Sequence, residues 1–139
     1  MRGPAVLFAA VAVTASSAAI AHASDASVRH ALLRGIAEIR AAPGPKRLEP
    51  KLERTLSRLR RDAASTVAGR RARELAIRGF GWTLRGVRTQ LALVANDSGN
   101  IERAVRDAVR ADRYLDRGAR LLRAAGRALG IRVGDVGGH

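Results

Sequence analysis

The chain has no cysteine. That excludes a disulfide framework, thiol nucleophiles and every zinc site built on cysteine. Aromatic residues make up 3% of it. Phe8, Phe80, Trp82 and Tyr114 are the full set. Proteins that hold single-stranded nucleic acid stack bases on exposed aromatics, and few are available here. Lysine is nearly missing as well, with only Lys46 and Lys51. The three histidines are His22, His30 and His139. No HExxH, no GxSxG elbow and no P-loop occurs, so the usual routes to metal, acyl or phosphoryl chemistry lack their parts. His30 borders an apolar stripe and reads as a boundary residue. Asp112 and Asp116 lie four apart, but a working acid–base pair needs environments that separate the two pKa values. Arg113, Arg117 and Arg120 beside them favour ionised, salt-paired carboxylates instead. No enzyme, cofactor, metal or small-molecule substrate is indicated.

Positive charge is abundant. Lys plus Arg number 26 against 12 acids, a formal net charge of +14 over 139 residues. Such a balance favours nucleic acid, anionic lipid or acidic polymer as partner. A second reading competes with it. GC-rich coding raises Arg and Ala together and depresses Lys, and that alone could write the surface in arginine.

The N-terminus reads as an export signal. MRGPAVLFAAVAVTASSAAIAHAS opens with Arg2, continues through the apolar run AVLFAAVAV and ends in small residues. Ala21 and Ala23 satisfy the −3 and −1 positions, so cleavage leaves Ser24 first. Thr14, Ser16 and Ser17 make the stretch a poor spanning helix. Residues 1–23 are expected to be removed, residues 24–130 to form the domain, and residues 131–139 to be a flexible tail. The expected localisation is secreted, periplasmic or cell envelope. Without disulfides the hydrophobic core must stabilise the domain unaided.

The remaining pattern is helical throughout. A first helix begins at the capping residues Ser24-Asp25, with Val28, Leu32, Ile36 and Ile39 as its stripe. Ala42-Pro43-Gly44-Pro45 ends it. Pro50 suits the first turn of a second helix, whose stripe is Leu52, Leu56, Leu59 and Ala63. A break at Ala64-Ser65-Thr66-Val67, with Ser65 as cap, leads to a third helix over about Thr66 to Ala95. Ala72, Ala76, Phe80, Leu84, Val87, Leu91 and Val94 line one side of it. Leu75, Gly79, Trp82, Gly86 and Leu93 line another. An apolar arc that wide marks a central helix packed on two sides. Gly79, Gly81 and Gly86 are expected where a neighbouring backbone comes close, since each costs about 1 kcal/mol of helix propensity.

The turn Asn96-Asp97-Ser98-Gly99-Asn100 places a cap at Asp97 or Ser98. The fourth helix then runs to about Leu129, with Gly130 at C′. Ile101, Ala108, Leu115, Leu122 and Leu129 recur every seven residues beside Ala104, Val105, Ala111, Gly118, Ala119, Ala125 and Gly126. This is a ridge for tight packing. Arg103, Arg106, Arg110, Arg113, Arg117, Arg120 and Arg127 fall on the opposite arc. Glu102, Asp107 and Asp116 are spaced to pair with Arg106, Arg110 and Arg120. The arginine arc is the candidate anion-binding site.

The expected fold is therefore all-α: about four helices built on a long antiparallel hairpin. ANDSGNIERAVRDAVRADRYLDRGARLLRAAGRALG, with GFGWTLRGV before it, resembles small secreted Arg/Ala-rich helical proteins of high-GC bacteria. The resemblance spans residues 70–132. It implies the helical hairpin and brings no activity or site. The functional expectation is a non-enzymatic envelope or extracellular protein. Its partners would be anionic wall polymer, anionic lipid or extracellular nucleic acid. The alternatives are self-association into a homo-oligomer through the Ala/Gly ridge, and an enzyme with an unfamiliar site.

Overall fold

A computed structural model describes residues 25–96 and 99–134. The export segment, the capping residue Ser24, the cap candidates Asp97 and Ser98, and residues 135–139 lie outside the described residues. The described residues form an all-α bundle of four helices. They are α1 (residues 25–41), α2 (Pro45–Arg61), α3 (Val67–Ala95) and α4 (Ile101–Ala128).

The expected stripes build the core. Val28, Leu32 and Ile36 of α1 are buried, with Leu52, Leu56 and Leu59 of α2 and Ala72, Ala76, Phe80, Leu84 and Val87 of α3. α3 is the central helix, packing against both α2 and α4. Phe80 reaches α1 as well, because a methyl group at Gly35 would sit 2.7 Å from its Cε1.

α3 and α4 form the antiparallel hairpin, each about 43 Å long at 1.5 Å per residue. Gly79 faces Leu122, Thr83 faces Gly118, and Gly86 faces Leu115 and Ala111. The register runs down one helix as it runs up the other. At the crossing a Cβ on Gly118 would lie 2.8 Å from the Gly79 carbonyl oxygen and 3.0 Å from the Thr83 nitrogen. The two backbones thus come into contact there, with the Thr83 hydroxyl beside them. Thr83, buried in this seam, donates its hydroxyl to the Gly79 carbonyl one turn back at 3.0 Å.

Several boundaries differ from expectation. α2 starts at Pro45, not near Pro50, because Pro45 supplies the fixed φ of a first-turn residue; Pro50 then lies inside the helix. Ala63 falls beyond the end of α2 and is exposed, while Ala64 packs on the core in its place. Thr66, not Ser65, caps α3, accepting from the Gly69 amide at 2.9 Å. Asn100 caps α4, accepting from the Arg103 amide at 3.0 Å. Asp25 does more than begin α1. It accepts from the Ser65 amide at 3.3 Å and from the Thr66 hydroxyl, and so ties α1 to the start of α3.

The end of α4 follows expectation and adds a detail. Gly130 adopts φ +68. Its amide donates to the Arg127 carbonyl at 3.0 Å, and the Ile131 amide donates to the Gly126 carbonyl at 2.8 Å. These two bonds are a Schellman closure. Val133 then folds back onto Gly126 and joins the edge of the core. The start of the segment expected to be a flexible tail is therefore packed.

Candidate anion-binding face

Arg103, Arg106, Arg110, Arg113, Arg117, Arg120 and Arg127 are all exposed along α4. Ala111, Gly118, Leu122, Ala125 and Gly126 are buried on the opposite side. The 3.6-residue period produces both faces at once: arginine spaced by three or four, small apolar residues offset by half a turn. Arg123 is half-buried at the seam. There its stem can cover apolar surface while its charged head reaches water.

The acids neutralise less of this face than their spacing suggested. Asp107 pairs with Arg110 at 3.7 Å. Glu102 with Arg106 and Asp116 with Arg120 do not approach within 4 Å. Exposed pairs of this kind gain only a few tenths of a kcal/mol and do not hold long side chains in one geometry. Among the described residues, Arg106, Arg113, Arg120 and Arg127 have no carboxylate partner.

Arg117 has a different neighbour. Its guanidinium carbon lies 4.3 Å from the centroid of the Trp82 ring, and that of Arg85 lies 4.9 Å from the same centroid. Tyr114 meets the indole at 5.3 Å between ring centres, tilted by 41°. Trp82 is half-buried on the flank of α3. Expected as core, it is the base of a cation–π cluster shared by α3 and α4. The helical spacing Arg78, Trp82, Arg85 could have disclosed this, because it sets the indole on a basic stripe as well as an apolar one.

Other arginines have structural partners that sequence spacing did not reveal. Arg73 donates from Nε to the Leu59 carbonyl at 2.7 Å and from Nη2 to the Arg60 carbonyl at 2.8 Å. It closes the C-terminus of α2 from α3. Arg29 donates to the Leu129 carbonyl at 3.1 Å, bringing α1 to the end of α4. Helix C-termini carry unsatisfied carbonyls and partial negative charge, which a guanidinium fork answers directly. Arg88 bridges Glu49 at 2.8 Å and Glu53 at 2.5 Å, joining α3 to α2. The hydrogen bond to Glu49 foremost, then that to Glu53, holds Arg88 more firmly protonated than usual, while desolvation opposes them.

The α4 ridge is not uniform. Leu122 is fully buried and Leu115 and Leu129 half-buried, as a ridge requires. Ala108 is exposed and Ile101 is 78% exposed. Val94 is 81% exposed at the facing end of α3, and Val105 and Val109 also remain open. These exposed side chains leave a bare apolar flank along the first three turns of α4.

Among the described residues no helix is long and apolar enough to cross a membrane. No group of three His, Asp or Glu side chains among them could hold a metal. No protein family, curated relative or solved structure matches the chain.

Proposed function

We propose that the protein is exported and acts without catalysis in the envelope or outside the cell. It binds anionic material through the arginine arc of α4. The observation that carries this reading is the arc itself. Seven arginines are exposed along one side of a rigid helix, and only Arg110 of them is paired with a carboxylate. Unpaired guanidiniums on a rod release counterions when they meet a polyanion, which gives affinity without sequence readout. Arginine suits phosphate and carboxylate better than lysine does, because its planar fork can donate two bonds at once. The partner class is an anionic wall polymer, an anionic lipid surface or extracellular nucleic acid.

Binding to vesicles with and without anionic lipid, to purified wall polymer and to duplex DNA tests the proposal as salt is raised. Binding that weakens steeply with salt supports it. Absence of binding to all three at low salt removes it.

A second reading, self-association, is favoured by one observation. The Ala/Gly ridge that suggested it is spent inside the molecule: Ala111 and Gly118 face α3, and Gly126 faces Val133. The exposed Val94, Ile101, Val105 and Val109 remain available to a second copy. Sedimentation at high protein concentration decides this, with a dimer expected and a monomer removing it.

A further inference from the structure

We infer that the concave surface between α2 and α3 at Gly81 is a binding site for a phosphate group. The recess has a volume of about 340 Å³ and is lined by Arg60, Arg78, Arg85 and Arg88 beside Gly81 and Trp82. Its lining guanidiniums come from α2 and α3. It meets the α4 arc only at Trp82, where Arg117 also lies against the ring, and the variants below leave Arg117 in place. No carboxylate lines it.

The arrangement follows from helix geometry. Arg78, Trp82 and Arg85 lie one and two turns apart on α3, with Gly81 beside them and Arg88 three residues further on. Arg60 enters from the last turn of α2. Gly81 is the one α3 glycine expected at a close contact that has none: a Cβ there meets nothing within 4 Å. Its missing side chain opens the floor of the recess.

The charges are unevenly committed. Arg88 is held by Glu49 and Glu53. It fixes α2 against α3 and engages the two nearby carboxylates. Arg60, Arg78 and Arg85 have no carboxylate within 4 Å among the described residues. Arg85 is positioned by the Trp82 ring at 4.9 Å. A cation–π contact uses none of a guanidinium's N–H donors, so they stay available to meet a phosphate's oxygens in pairs. Three unpaired cations around one concavity suit a compact, highly charged anion better than a single carboxylate.

Trp82 is the only tryptophan, so its fluorescence reports from the site. Pyrophosphate titrated into the full chain at low salt is expected to change that emission saturably, with calorimetry giving the same affinity. Gly81→Glu sets a carboxylate in the recess and is expected to weaken binding at least tenfold. Its open surroundings leave the fold intact, checked by circular dichroism. R78Q/R85Q is expected to weaken binding to a similar extent. R106Q/R113Q/R120Q on α4 is expected to leave it unchanged within about twofold. Competition assigns the source of the phosphate: a soluble phosphate monoester displaces pyrophosphate in solution, or only vesicles bearing phosphatidic acid do. Displacement by either supports the site. No saturable response, an unaltered affinity in both recess variants, or equal loss in the α4 variant overturns it. Loss of polymer binding alone would count against the α4 arc and leave this site standing.

Discussion

Two glycine-to-alanine substitutions on the same hairpin should move stability in opposite directions. In Gly118→Ala the new methyl group lies 2.8 Å from the Gly79 carbonyl oxygen and 3.0 Å from the Thr83 nitrogen. Both are backbone atoms within α3, so relief requires the helices to separate. Overpacking costs typically about 1–3 kcal/mol, and neighbours that are rigid backbone place this case in the upper part, about 2–3 kcal/mol. Alanine returns up to about 1 kcal/mol of helix propensity. The net loss is then about 1–2 kcal/mol, a fall of about 4–8 °C in Tm for a domain of this size. In Gly81→Ala the methyl group meets nothing within 4 Å. Only the propensity gain of about 0.5–1 kcal/mol remains, a rise of about 2–4 °C. Thermal melts followed at 222 nm, with urea titrations for ΔG, read both. If Gly118→Ala raised Tm as Gly81→Ala does, α3 and α4 would not be in backbone contact and the hairpin register would be wrong.

Other expectations follow from single groups. Leu122→Ala removes a fully buried side chain packed over Gly79 and should cost about 2–5 kcal/mol by urea unfolding. Asp25→Ala deletes the acceptor for the Ser65 amide and Thr66 hydroxyl and should cost about 1–2 kcal/mol. Amide exchange should then be faster in the first turn of α3 than in its middle. Intact-mass measurement of the protein recovered from its host's culture should show Ser24 as the first residue. A mass including residues 1–23 would mean the export segment is retained.

Helix positions were legible in the sequence because the period of buried residues is strong. Val28, Leu32 and Ile36, or Leu52, Leu56 and Leu59, admit one inward face each. Helix starts were less legible. Several residues near each start can cap, and Thr66 and Asn100 prevail over neighbours of similar chemistry. The sequence also holds two possible proline starts for α2, and Pro45 prevails over Pro50. The inward ridge of α4 was readable, but not that it runs out of partners toward Ile101. That depends on which other helices reach this end, a property of the assembled bundle. The arginines divide in the same way. Those on α4 obey a helical period. Arg29, Arg73 and Arg88 act between helices, and nothing local distinguishes them from solvated charge. Trp82 was misplaced because its spacing fits both an apolar stripe and a basic one.

The salt dependence of polyanion binding tests the central proposal most directly. Duplex DNA serves as a probe of known charge density. The logarithm of the binding constant should fall linearly with the logarithm of salt, with a slope near −0.9 for each phosphate neutralised. Removing three arginines of the α4 arc as R106Q/R113Q/R120Q should make that slope shallower by about three, roughly one for each arginine. Binding at low salt with this change in slope is the predicted result. No binding at low salt, or a slope the triple variant leaves unchanged, would contradict the assignment of anion binding to α4.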